Sequence, residues 1–183
     1  IPAGETVYLS GAPATSAATL RSVNGANTYG GTVMLHNGAG TRNIGADAGS
    51  SLTITGAVNQ SGSPRSFTKV GLGTVTLTGT GNYTGNTDVA EGILALQNGN
   101  AILNTAGPVN VALGATLQLL SNETISAFNG AGDLVGTNDS LLALGANTLT
   151  TTGGAAIANV TTAAGGGIIA GTSITDADDD NNI

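Results

Sequence analysis

The residues that could do chemistry are few. Asp176, Asp178 and Asp180 stand close together in the run DADDDNNI. Closely spaced carboxylates are hard oxygen ligands, so calcium is the one metal or cofactor this chain suggests. The run lacks the Gly and distal Glu of an EF-hand loop and the Gly-rich nonapeptide of a calcium-binding β-roll, so a solvated acidic tail is the competing reading. His36 is the single histidine. A histidine site needs partners, and none is patterned around it, so a solvated loop or strand-end position is expected. Asp88 and Glu91 are the best-placed acidic pair, flanking one strand end. Polysaccharide cleavage on a β-helix needs paired carboxylates or basic side chains, but a solvated corner explains this pair more simply. No Gly-x-Ser-x-Gly elbow accompanies the serines. No catalytic residue is assigned, and the chain does not read as an enzyme.

Three further groups invite a functional reading. Asn59, Asn82, Asn122, Asn138 and Asn159 each begin an Asn-x-Ser/Thr triplet, which a chain this rich in Asn, Ser and Thr produces by composition alone. Tyr8, Tyr29 and Tyr83 are expected to pack at corners rather than to form a sugar-stacking platform. Arg21, Arg42, Arg65 and Lys69 are the only bases. Four bases cannot form a phosphate-tracking stripe, which argues against nucleic acid and against an anionic membrane surface.

The elements that must carry these residues are short. Apolar residues make 40% of the chain, but aromatics only 3% and charges 8%, so a core must be built from small and β-branched side chains. Such a core suits a thin, repetitive stack. Thirty Gly point to many corners. The net charge of −7 is concentrated, because Asp176, Asp178, Asp179 and Asp180 supply four of the eleven acids. There is no Cys, so no disulfide staples the fold, and this absence does not exclude secretion. No run of eighteen apolar residues occurs, so no helical membrane span is expected. A chain that opens at Ile1 without Met reads as processed or excerpted.

Residues 67–102 show the pattern most clearly. Thr74-Val75-Thr76-Leu77-Thr78, Thr87-Asp88-Val89 and Ile93-Leu94-Ala95-Leu96 alternate with period 2 and are separated by Gly- and Asn-rich corners. SLTITG at 51–56 matches VTLTG at 75–79, and GATLQL at 114–119 matches GILAL at 92–96. Residues 24–35 look like a copy of 79–89, with Tyr29 and Tyr83 in matching places. About sixteen strand candidates result, with no segment of helical period. Internal repetition, few aromatics and few hairpin signals predict an all-β, right-handed parallel β-solenoid of about eight coils, with a β-sandwich as runner-up. Residues 1–175 read as one solenoid domain and 176–183 as an acidic tail or linker.

The stretch from Phe67 to Leu96 resembles the autotransporter-associated β-strand repeat. The pieces that carry the likeness are Lys69-Val70-Gly71-Leu72-Gly73-Thr74, Leu77, Tyr83-Thr84-Gly85, Thr87-Asp88-Val89 and Gly92-Ile93-Leu94-Ala95-Leu96. The resemblance covers about thirty residues well, and flanking parts more loosely. It implies a passenger-type region of a bacterial surface or secreted protein, forming a right-handed β-helix without catalytic residues. The departure is that no outer-membrane β-barrel pattern occurs within these residues.

A non-enzymatic extracellular structural or adhesive module follows as the first expectation. Long ladders of Thr, Ser and Asn suit weak multivalent contact with glycans, with cell surfaces, with flanking repeats or with copies of itself. The second expectation is a polymerising, pilus-like fibre subunit joined by strand exchange or end-to-end stacking. A carbohydrate-active β-helix enzyme is the third.

Overall fold

The computed structural model describes residues 4–11, 18–38, 40–130, 141–157, 161–162, 168–171 and 174–176. Among them there is no helix, and every strand pairing is parallel. The alternating segments fold into three sheets that wind into a parallel β-solenoid of about six turns. Parallel pairing throughout is what separates this from a sandwich built of hairpins.

The first sheet stacks β1 (Thr6–Leu9), β4 (Thr32–Leu35), β7 (Val58–Gln60) and β10 (Gly81–Asn82). The second stacks β2 (Leu20–Ser22), β5 (Asn43–Ala46), β8 (Phe67–Val70), β11 (Thr87–Val89), β13 (Val109–Val111), β15 (Glu123–Gly130), β17 (Thr148–Ile157) and β19 (Ile168–Gly171), with β20 (Ile174–Asp176) also on β17. The third stacks β3 (Ala26–Tyr29), β6 (Ser51–Ile54), β9 (Thr74–Leu77), β12 (Ile93–Leu96), β14 (Thr116–Leu119), β16 (Leu141–Ala143) and β18 (Thr161–Thr162).

The count of turns falls short of eight because several corners are long. Residues 97–108 separate β12 from β13 and stand where the first sheet would continue. Gly81 N–H donates to Asn100 O at 2.9 Å, so this loop rests on β10 in place of a fifth strand. Only Leu120, Ser121 and Asn122 lie between β14 and β15, so later coils pass from the third sheet to the second.

Period-2 alternation decides what is buried. Val75, Leu77, Val89, Leu94, Leu96, Val111, Leu117 and Leu119 all point into the core, as their phase predicts. They stack in columns, with Leu52 on Val75, Val75 on Leu94 and Leu94 on Leu117. A buried Leu side chain stabilises by about 1.5–3 kcal/mol, so each coil adds a few such contributions. Thr74, Thr76, Thr78 and Gln118 point outward yet are only half-exposed. The reason is the stack itself: Thr76 is flanked by Thr53 and Ala95, its register partners in the neighbouring coils.

Two of the three repeat matches are structural. Ser51–Ile54 lies directly on Thr74–Leu77, and Leu94 and Leu96 lie on Leu117 and Leu119. The match of 24–35 with 79–89 is not. Tyr29 closes β3 on the third sheet and pairs with Ile54, whereas Tyr83 follows β10 on the first sheet.

Candidate functional site

Lys69 occupies an inward position. Strand β8 alternates Phe67 in, Thr68 out, Lys69 in, Val70 out, and Lys69 stacks between Ile44 and Val89. Its side chain is fully buried. Nζ turns to the corner and donates to the carbonyls of Gly71, Gly73 (2.6 Å) and Glu91 (2.7 Å). The first two belong to its own coil and the third to the next, so one ammonium pins two successive corners together. Burial lowers the Lys69 pKa to about 8, against the Glu91 carboxylate, which favours the charged form. The Glu91 carboxylate in turn accepts the Gly71 N–H at 2.9 Å.

The glycines of this stretch make room for the clasp. Gly92 has φ 61°, and a Cβ there would lie 2.5 Å from Gly71 O and 2.6 Å from Lys69 Nζ. A side chain at Gly73 would run into the Asp47 and Ser50 carbonyls of the preceding coil. The Lys-x-Gly-x-Gly and Gly-x-Leu-x-Leu pieces thus form one device, split across two coils.

The other bases are also engaged. Arg42 is buried and donates to the carbonyls of His36 (2.9 Å), Gly38 (2.6 Å) and Gly40 (3.2 Å). Burial, and then nearby Arg65, lower its pKa. Arg21 forms a two-pronged ion pair with Asp47 at 2.6 and 2.7 Å, which raises its pKa. Arg65 is bonded to Asn37 and to Pro64 O.

A second buried cluster surrounds Tyr83 and Glu123. Tyr83 packs edge-on against Phe67, with centroids 5.4 Å apart, and its hydroxyl lies 2.5 Å from Thr87 Oγ1. Burial drives its pKa up. Glu123 opens β15 and accepts the Ile102 N–H at 3.0 Å. Burial raises its pKa, and the Ile102, Ala101 and Gly99 amides oppose that shift. The carboxylate caps the loop that ends the first sheet, where a further strand would have taken those amides. The sequence reading missed this acid, although its phase with Ile125 along β15 marks it as inward.

Sequence-nominated residues are scattered. His36 follows β4, half-buried, with Tyr8 edge-on at 5.6 Å. Tyr29 and Tyr83 pack in the core as expected, but Tyr8 is 59% exposed, because it sits at an outward position of β1. Asp88 and Glu91 do not act as a pair. Asp88 takes the Asn110 amide at 2.6 Å, while Glu91 serves the Lys69 corner. Asn82 donates to Asn59 at 2.9 Å, and Asn122 accepts the Thr148 N–H at 2.9 Å. Asn138, Asn159, Asp178 and Asp180 lie outside the described residues, and Asp176 is described only as the backbone end of β20. Among the described residues no three His, Cys, Asp or Glu side chains gather as a metal site.

What the second sheet does present is a polar ladder over a groove. Asn129 donates to Asn110 at 2.8 Å, and Asn110 to Asp88, one coil per step. Beside it runs an open groove of about 330 Å³, whose lining includes Ala90, Ala112 and Gly130. Comparison of the chain with protein-family models, with curated proteins and with solved structures finds no match.

Proposed function

We propose that this chain is a non-enzymatic structural and adhesive module of a bacterial surface or secreted protein. The observation that carries this reading is the contrast between its two sides. Inside, Lys69, Arg42 and Glu123 bond backbone groups and hold the corners. Outside, small polar groups repeat in register: Thr53 and Thr76 on the third sheet, and Asp88, Asn110 and Asn129 on the second. Repeated weak contacts of this kind bind through number rather than through one strong site. The resemblance of Phe67 to Leu96 to the autotransporter-associated repeat points the same way. Purified chain coated on beads at graded density tests it. Retention of bacterial cells or polysaccharide-coated surfaces should rise more steeply than density. No retention at any density overturns the reading.

A second reading, a filament subunit, is favoured by one observation. Among the described residues β1, β2 and β3 each end their sheet and pair with a strand on one side only, so strand edges stand at this end of the stack. A second copy stacked there makes a heterologous joint, and such joints propagate. Electron microscopy of concentrated chain would show filaments, and Val7→Pro would remove them. A wild-type chain that stays monomeric at high concentration excludes this second reading.

A further inference from the structure

We propose that the groove beside Asp88, Asn110 and Asn129 holds a neutral polysaccharide strand lying along the solenoid axis. This deepens the adhesive reading and rests on it. Four observations select the occupant. The ladder offers one carboxylate or carboxamide per coil, in register, every ~4.8 Å. A polymer that carries hydroxyl groups on each ring meets such a ladder at every step. By valence, the Asn110 and Asn129 amides each keep a second N–H, and the Asp88 carboxylate keeps acceptor sites, beyond the bonds within the ladder.

The small residues of the lining supply the second argument. Ala90, Ala112 and Gly130 are small, so the C–H face of a sugar ring can lie against them while its hydroxyls reach the ladder. Charge supplies the third. Asp88 is the charged residue of the groove, and no Lys or Arg lines it. An anionic polymer would meet repulsion without compensation, so a neutral polymer is favoured over an anionic one. Backbone pairing supplies the fourth. β11, β13 and β15 each have a strand on both sides, so no sheet edge is available there to add a peptide strand. Recognition must run through side chains, which suits a polyhydroxylated ligand.

The test uses the full chain, labelled with ¹⁵N, and two neutral probe series, cello-oligosaccharides and chito-oligosaccharides, with oligogalacturonate as the anionic control. The Asn110 and Asn129 side-chain amide signals should move saturably with at least one neutral series, and affinity should grow with chain length. The double variant Asp88→Ala, Asn110→Ala should bind at least tenfold more weakly, while Asn82→Ala on the first sheet should bind normally. If the double variant is unfolded, the wild-type shift map decides alone. No movement of these amides with either neutral series overturns the proposal, and so does equal binding of oligogalacturonate. The bead assay separates the two readings. Retention that survives in a folded double variant removes the groove and leaves adhesion to another face. Amide shifts without bead retention leave the groove and remove adhesion.

Discussion

Lys69 Nζ lies 2.7 Å from the carbonyl oxygen of Glu91, a residue of the next coil. A lysine in a column between Ile44 and Val89 would otherwise be an uncompensated buried charge. Here the charge is met by three backbone carbonyls of two successive corners, of which Gly73 O also accepts the Ile93 N–H at 3.2 Å. The cation that looks out of place in the core joins its two corners, beside the Ile93 N–H to Gly73 O and Gly71 N–H to Glu91 bonds that link the same coils.

Replacing that cation is the first test. Lys69→Met keeps the stem's apolar packing and removes the donor to Gly71, Gly73 and Glu91. Gly73 O keeps the Ile93 N–H, so the loss falls on the Gly71 and Glu91 carbonyls; a buried acceptor left without a partner costs about 1–3 kcal/mol, offset by the relief of burying a charge. A net loss of about 2 kcal/mol is expected, read as a lower urea midpoint with an unchanged slope. A variant as stable as the parent would show that the clasp holds nothing.

The second test separates backbone conformation from crowding. Gly92 and Gly114 both have positive φ, 61° and 72°. An added Cβ at Gly114 meets nothing within 4 Å, whereas at Gly92 it meets Gly71 O, Lys69 Nζ and Gly73 O within 2.7 Å. Gly114→Ala should cost only the left-handed penalty, about 1–2 kcal/mol. Gly92→Ala should cost clearly more, because the clasp must open. Equal losses in the two melting curves would contradict the crowded-corner account.

How far the sequence showed all this depends on the range of the interaction. Alternation is local, so Val75, Leu77, Leu94 and Leu117 could be placed inside from their own segments. Stacking partners recur by pattern, which is why the likeness of 51–56 to 75–79 marks two strands that lie on each other. The Tyr29 and Tyr83 match failed because Asn-Tyr-Gly-like corners occur on different sheets. Lys69, Glu91 and Gly92 form one device only after coils of about 20 residues are stacked in register, which no local pattern encodes. Glu123 was hidden for the same reason, since its partners Ile102, Ala101 and Gly99 lie in a loop that replaces a strand. The groove at Asp88 needs three coils side by side before it exists.

A third test concerns that alternation directly. Leu77 is buried between Ile54 and Leu96, and Thr76 faces outward between Thr53 and Ala95. Leu77→Asp buries a carboxylate with no partner and should cost more than about 4 kcal/mol, enough to threaten folding. Thr76→Asp should cost about 1 kcal/mol or less. Circular dichroism melts of the two variants give the comparison. Similar damage from both would contradict the inward and outward assignment.

The last test is the shape of stability against pH, where three buried groups act in separate windows. Glu123 has its pKa raised by burial, so above the ordinary value of ~4.3 the folded state keeps a proton the unfolded state has lost. Stability from this group is therefore fullest in acid and falls as pH rises to the folded value. Lys69 has the opposite sign. Its folded pKa is about 8 and its unfolded value ~10.4, so between these the unfolded state binds the extra proton. The cost of the buried ammonium is complete below pH ~8 and is relieved as pH climbs, so stability rises there. Tyr83 then takes over. Its pKa is raised, so above ~10 the unfolded phenol ionises first and stability falls. Urea midpoints across the range should decline just above the carboxylate region, rise from pH ~8 and turn down near 10. Glu123→Gln should flatten the first limb, Lys69→Met the second and Tyr83→Phe the third. An alkaline rise that persists in Lys69→Met would assign it to another group, and would mean that the Lys69 ammonium is held charged by its three carbonyls more strongly than burial opposes it.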